Sequence, residues 1–361
     1  FTIFPSTPSR RLHPTLKRVR LKLNDQFVTI RPFDRYSALP FGALDLLIGR
    51  RLQGWRLRRL LMTERFDAIH LLETQHAGYL YLRSIRSVGN SLPVGLSVWG
   101  SDLAWFTRFD KHKKHVAKVL ENIDLLFVEC CRDKELALQL GYRGGFTPPL
   151  PASGGVSSAE TFLAEQENLL PSERKKIVVK GYTGFVGRAR TALRVIEQNA
   201  NGLKNYSIDV YSASFVTVMK LWAMRRRTKL RIYGYRKKSL THAEVLQLFR
   251  DARVSIAVSL SDGLPGSFRE AVWTGAFPIE SNGSCVNEWI LSSDDCIIVD
   301  PENIESVSTA LLRAIQDDTM VDNARSANRR IAEKFTTENI RELSLRQYTR
   351  LCEVEKLEFC Q

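Results

Sequence analysis

Apolar positions fall into short runs, and stretches with helical spacing lie between them along most of the chain. Runs at 68–73 (AIHLLE), 93–100 (PVGLSVWG) and 125–130 (LLFVEC) have the length and composition of buried strands. Helical patterns at 76–88 and 109–121 separate them. Nearer the start, 1–5 (FTIFP) and 26–33 (QFVTIRPF) read as strands flanking a helix at 14–23. A second series opens at 175–182 (KKIVVKGY) and continues with strands at 207–214, 230–234, 254–260, 277–281 and 296–300. Helices fit at 188–199, 214–226, 241–252, 267–274, 286–291 and 303–317, followed by a helical tail at 322–361. Strands alternating with helices predict parallel βαβ units. The stretch GYRGGFTPPLPASGGVSS (141–158), rich in Gly, Pro and Ser, reads as a linker between the two series.

The pattern therefore predicts an α/β protein with two Rossmann-like, doubly wound parallel-sheet domains facing a cleft. The first spans 1–158 with its linker, and the second spans 159–338. A C-terminal helix at 339–361 is expected to pack back on the first. A length of 361 residues exceeds one ordinary core and agrees with two domains. Ligands in such sheets bind outside the carboxyl ends of the strands, at the topological switch point.

Charge adds a second layer. The net charge is +14. Residues 1–150 hold 24 Lys and Arg against 13 Asp and Glu, and the remainder holds 29 against 26. A basic surface suits nucleic acid or an anionic membrane. No nucleic-acid-binding motif accompanies the charge, so nucleic acid is not expected as a partner. The segment FGALDLLIGRRLQGWRLRRLL (41–61) mixes Leu, Ile and Trp with arginines, as an interfacial helix does, and as the solvated face of an ordinary helix also does. No apolar run reaches the roughly 18 residues of a membrane span. The six cysteines show neither CxxC nor zinc-ligand spacing and read as reduced thiols. A cytoplasmic protein, peripheral on the inner face of the membrane, is the expectation.

The candidate chemistry gathers at 254–275. A β-branched run (VSIAVSL) leads into Asp262-Gly263-Leu264-Pro265-Gly266, and FREAVWTG then has helical spacing and a glycine stop. Backbone N–H groups of Gly266, Ser267 and Phe268 would open that helix and suit an anionic group. Asp262 and Glu270, with seven residues between them, suit sugar hydroxyls. In VVKGYTGFVGRARTAL (178–193), Gly184 and Gly187 allow close backbone approach. Lys180 and Arg188, with Arg190 a weaker candidate, are cations for a diphosphate. In the first half, VWGSDL (98–103) offers Gly100 for a turn and Asp102 as a cap or a cleft-facing carboxylate. His76 in ETQHAGYL is either a ligand-facing or a plain helix-start histidine. Glu129 ends a strand, and His242 in THAE suits a capping-type role.

These residues resemble the retaining glycosyltransferases of family 4, which have the two-domain GT-B fold. The resemblance covers most of the chain and is strongest from about 239 to 301. It implies that Glu270 holds the ribose of a nucleotide and that Asp262, standing where the family has Glu, contacts the transferred sugar. It implies catalytic or acceptor-side roles for His76 and Asp102. Donor binding is implied for Glu270, Arg188, Lys180, Gly187, Gly266, Ser267 and Phe268. The family's Lys five positions after its Arg is replaced here by Leu193. No DxD motif ends a strand, so no metal and no cofactor is expected, and cations take the metal's place. The implied partners are a nucleotide sugar and a glycan or lipid-linked acceptor, in bacterial cell-surface polysaccharide or glycolipid synthesis. Other GT-B readings are a nucleotide-sugar epimerase, a phosphorylase, or a non-catalytic scaffold of a polysaccharide assembly complex.

Overall fold

The computed structural model describes residues 2–3, 20–23, 26–30, 51–85, 92–152, 154–156 and 169–353. A small sheet joins β1 (Thr2–Ile3), β2 (Arg20–Leu23) and β3 (Gln26–Ile30) in the order β1-β3-β2. The described end of the helix expected at 14–23 is instead a strand over 20–23, and residues 14–19 lie outside the described residues. Arg-Leu-Lys-Leu alternates polar and apolar residues at period two, and it pairs antiparallel with β3. Of the basic segment 41–61, residues from 51 onward belong to α1 (Arg51–Thr63), and the rest lies outside the described residues.

The first α/β domain follows. It contains β4 (Ile69–Leu72), α2 (Tyr79–Ile85), β5 (Val94–Ser97), α3 (Ser101–Ala104), α4 (Asp110–Leu120), β6 (Leu125–Phe127), α5 (Cys131–Gln139) and β7 (Gly145–Phe146). Its strands are all parallel, in the order β4-β5-β6-β7. Leu96, Val98 and Leu126 meet Val116, Val119 and Leu120 of α4 in its core. The expected linker is more ordered than its composition predicts. Its residues 145–146 form β7 because the Gly145 N–H and the Thr147 N–H bond to Asp124 and Leu126 carbonyls.

The second domain is built from β8 (Lys176–Lys180), α6 (Ala189–Gln198), β9 (Ser207–Ala213), α7 (Phe215–Thr228), β10 (Arg231–Arg236), α8 (His242–Arg250), β11 (Val254–Ala257), α9 (Gly266–Thr274), β12 (Phe277–Ser281), β13 (Ile297–Val299), α10 (Ile304–Gln316) and α11 (Asp318–Glu333). The sheet order is β10-β9-β8-β11-β12-β13, all parallel. The chain winds outward from β8 through β9 to β10, then returns to the other side of β8. The switch point lies between β8 and β11. The helix expected at 286–291 is only a 3₁₀ turn over Val286–Glu288.

A final helix, α12 (Thr337–Glu353), leaves the second domain and lies on the first sheet. Leu351 is fully buried against Leu125 and Phe127. The Tyr348 hydroxyl meets His70 Nδ1 at 2.7 Å, and Arg350 donates to the Phe146 carbonyl at 2.8 Å. Burial of this kind, about 25 cal/mol per Å² of apolar surface, is what holds the returning helix.

One part of the cysteine reading changes, and Cys360 lies outside the described residues. Cys130, just after β6, is joined to Cys285, just after β12. Cys131, Cys296 and Cys352 are free thiols. The 155-residue separation hides the pairing in the sequence, because only the approach of the two domains creates it.

Candidate functional site

The site begins at the carboxyl end of β8. The central strand KIVVK is buried through its apolar residues and delivers Lys180 at its last position. Lys180 Nζ lies 3.4 Å from Asp262 Oδ2. Asp262 follows β11, the strand next to β8, so the pair marks the switch point. The Gly263 amide donates to Asp262 Oδ1 at 3.1 Å, so the carboxylate also braces its own turn. Below this pair, Glu280 on β12 is almost completely buried. Burial pushes its carboxyl up to about 8, and the nearby Lys180 opposes the shift. Burial disfavours the charged form of Lys180, yet the carboxylates of Asp262 and Glu280 outweigh that and raise its pKa.

The helix α9 supplies the next layer. It starts at Gly266, after Pro265 at the N-cap. The amides of its first turn have no acceptor within the helix. A Cβ on Gly266 would meet nothing closer than Arg269 at 3.8 Å, so the approach to that turn is open. Ser267 is buried beside Glu280 and Tyr211. The Phe268 ring is in the core, so only its backbone can serve a ligand. Glu270 sits one turn in, with its Oε1 at 3.4 Å from His242 Nε2. The capping role at the start of α8 belongs to Thr241 and Glu244, which form a capping box. His242 instead faces Glu270.

The loop after β8 folds back on the same corner. The Arg188 amide donates to the Val258 carbonyl at 3.0 Å, and Gly187 bridges to Ser259. A Cβ at Gly187 would strike the Tyr182 carbonyl, which explains the glycine. The Arg188 guanidinium is turned onto its own loop and onto Glu302, 3.5 Å away. Lys180, rather than Arg188, is the cation beside Asp262.

The first domain meets this corner through the ends of its strands. Gly100 has φ 74°, and a Cβ there would run into the backbone of Asp262 and Gly263. Ser101 Oγ donates to the Ser261 carbonyl at 3.3 Å. Arg132 donates to the carbonyls of Asp262 at 2.9 Å and Gly283 at 3.0 Å. Glu288 in turn accepts from the amides of Cys131 and Arg132 at the start of α5, at 2.6 and 3.1 Å. A carboxylate at a helix N-terminus is a favourable pairing. Glu129 crosses the boundary as well. It accepts from the Leu264 amide at 3.1 Å and the Ala152 amide at 2.9 Å. Burial pushes its carboxyl up to about 7, although both amides pull the other way.

Asp102 is buried and already committed. Its two oxygens accept from the Thr74 and Trp99 amides, each at 2.7 Å. Burial still raises it to about 6. It positions the two loops that follow β4 and β5. His76 is exposed and pairs with Glu73 at 2.8 Å. Glu73 itself has φ 77°, a left-handed conformation that is strained for a glutamate.

Several residues that sequence reasoning did not single out belong to this region: Glu73, Glu280, Arg269, whose guanidinium acts on Glu129 and donates to the Gly154 carbonyl at 2.9 Å, and an aromatic group at the mouth. Phe185 lies 6.2 Å from Trp105 and 5.5 Å from Phe106, ring centre to ring centre, across the two domains. The run WFTRF (105–109) was the available signal. Among the described residues, one group has metal-ligand proximity, Cys130, Cys285 and Glu288, and its two sulfurs are joined to each other.

Two parallel-sheet α/β domains meeting at the carboxyl ends of their strands define the GT-B fold. Solved structures with that arrangement resemble this one. The α,α-trehalose-phosphate synthase (UDP-forming) of Burkholderia xenovorans, in complex with glucose-6-phosphate, matches with TM-score 0.65 at 16% identity, over 87% of this chain and 80% of that one. The α,α-trehalose 6-phosphate synthase of Burkholderia multivorans matches with TM-score 0.69 at 14% identity, over 90% and 85%. A trehalose-6-phosphate protein of E. coli, bound with UDP-2-fluoroglucose, matches with TM-score 0.64 at 13% identity, over 91% and 87%. At these identities the likeness concerns the fold. Neither a protein-family model nor a curated protein sequence matches the chain.

Proposed function

We propose that this protein is a retaining glycosyltransferase that moves a sugar from a nucleoside-diphosphate sugar to an acceptor hydroxyl. One observation carries the reading: Lys180 pairs with Asp262 at the switch point beside the open first turn of α9, and the Glu270 carboxylate acts on the same Lys180 ammonium. The spacing of the two carboxylates is also what made the donor half resemble family 4. In this reading the diphosphate rests on the α9 amides and Lys180, Glu270 holds the ribose, and Asp262 contacts the sugar. Lys180 and the helix N-terminus stabilise the charge that grows on the departing diphosphate. The leaving phosphate takes the acceptor proton, so no separate general base is required, and no metal is needed. His76 and the aromatic residues at the mouth face the acceptor. Arg188 closes the donor loop, and Asp102 positions the loops on the acceptor side. A glycan or lipid-linked acceptor of cell-surface polysaccharide or glycolipid synthesis fits this arrangement.

Since two similar structures carry UDP-forming or UDP-sugar descriptions, UDP-sugars are the first donors to try. Calorimetric titration should detect a nucleotide, and Glu270→Ala should weaken it by at least about tenfold, the worth of a charged hydrogen-bonding pair. Unchanged affinity and transfer in that variant would sink the assignment. Transfer abolished by EDTA and restored by Mg²⁺ would overturn the metal-free mechanism.

A further inference from the structure

One surface of the second domain has no role in this site. The inner face of α7 packs Leu221 and Met224 into the core. On its outer face, Phe215, Val216, Met219 and Trp222 are each more than half exposed. Their spacing of one, three and three residues keeps them on one side of the helix. Tyr233 on the edge strand β10 extends the patch. Exposed apolar side chains gathered this way mark an interaction surface.

The surrounding charge indicates what it meets. Between Asp209 and Glu244 the chain has nine Lys and Arg and no Asp or Glu. All nine are exposed. Among the described residues, Arg227 has a carboxylate partner, Glu197 at 2.6 Å. Among the described residues, no ion pair engages Arg225, Arg226, Arg236, Lys237 or Lys238. Cations instead lie over the aromatic rings: Arg226 is 4.3 Å from the Trp222 centroid, and Arg236 is 5.8 Å from that of Phe215. The rest of residues 151–361 is net acidic once this block is removed, so the positive charge of the domain is concentrated here.

We propose that the α7 face docks on an anionic phospholipid bilayer. A helix that exposes Trp, Phe and Met along one face, with cations beside them, suits insertion at the headgroup level. The exposed cations on α7 and after β10 complement a negatively charged plane. The orientation is informative too. Phe215 follows the carboxyl end of β9 directly, and Arg236, Lys237 and Lys238 lie at the carboxyl end of β10. These are the same strand ends that carry Lys180. Docking would bring the mouth of the cleft to the membrane, whichever donor the cleft takes. In the sequence this surface is separate from the basic segment 41–61.

The test is co-sedimentation of the full chain with phosphatidylglycerol-rich vesicles and with pure phosphatidylcholine vesicles. The expected result is salt-sensitive binding to the former alone. Phe215→Ala with Trp222→Ala, and separately Arg225→Glu with Arg226→Glu, should each lower the partition constant by at least about tenfold. Unchanged melting temperatures would show that these exposed substitutions leave the fold intact. Absence of binding to the anionic vesicles would overturn the proposal, as would binding that both variants retain. Self-association that the Phe215/Trp222 variant abolishes, in a protein that ignores vesicles, would assign the face to a second copy of the chain instead.

Discussion

Glu280 illustrates how a single buried carboxyl supports the site. It lies under Lys180, and burial lifts its pKa to about 8. An acid whose folded pKa is raised stays protonated in the folded state while the unfolded chain ionises. Its contribution is complete below the unfolded value and is lost as pH rises toward the folded one. Thermal stability should therefore fall between about pH 4.5 and pH 8, with Glu129, lifted to about 7, acting in the same direction. Glu280→Gln should flatten that slope, as read by scanning calorimetry across the range. An unaltered slope would mean that Glu280 is ionised in the fold. The sequence hid this residue because FPIES reads as an ordinary buried strand. Asp262 and Glu270 stood out because a glycine-rich turn frames them. Asp102 was visible, but its occupied oxygens were not, since Thr74 is a loop neighbour only in three dimensions.

At the scale of elements, period and punctuation revealed most of the second domain. β-branched runs with glycine stops fix β8, β11 and β12, because central parallel strands are buried on both faces. The elements that escaped notice are those made by pairing rather than by pattern. β7 is two residues long, and α5 begins at a cysteine pair with no capping side chain of its own. Its first amides are satisfied by Glu288 from the other domain, a partner no local window contains. The return helix α12 is the converse case: it was visible as a helix, but its anchoring contacts were not. Leu351 is fully buried among Leu125 and Phe127. Leu351→Ala should cost about 2–5 kcal/mol and appear as a lower urea midpoint. Loss of under about 0.5 kcal/mol, the scale of a surface change, would mean that α12 is not anchored by this contact.

For the whole molecule, the two-domain plan followed from length and alternation, whereas the closeness of the domains did not. Contacts between 100–102, 129–132 and 261–264, 283–288 are all between residues far apart in the chain. The bond between Cys130 and Cys285 has a mechanical consequence. Two bodies linked only by strands of chain form a hinge, and a bond across their facing edges turns the hinge into a ring. In chain-entropy terms a ring closed over 155 residues is stabilised by about 5 kcal/mol. It also shortens the stroke by which such a cleft opens to exchange its contents. Reduction, or Cys285→Ser, should enlarge the radius of gyration in X-ray scattering and speed the release of bound nucleotide. The thiol state of one cysteine pair would then set how long the cleft holds what it binds.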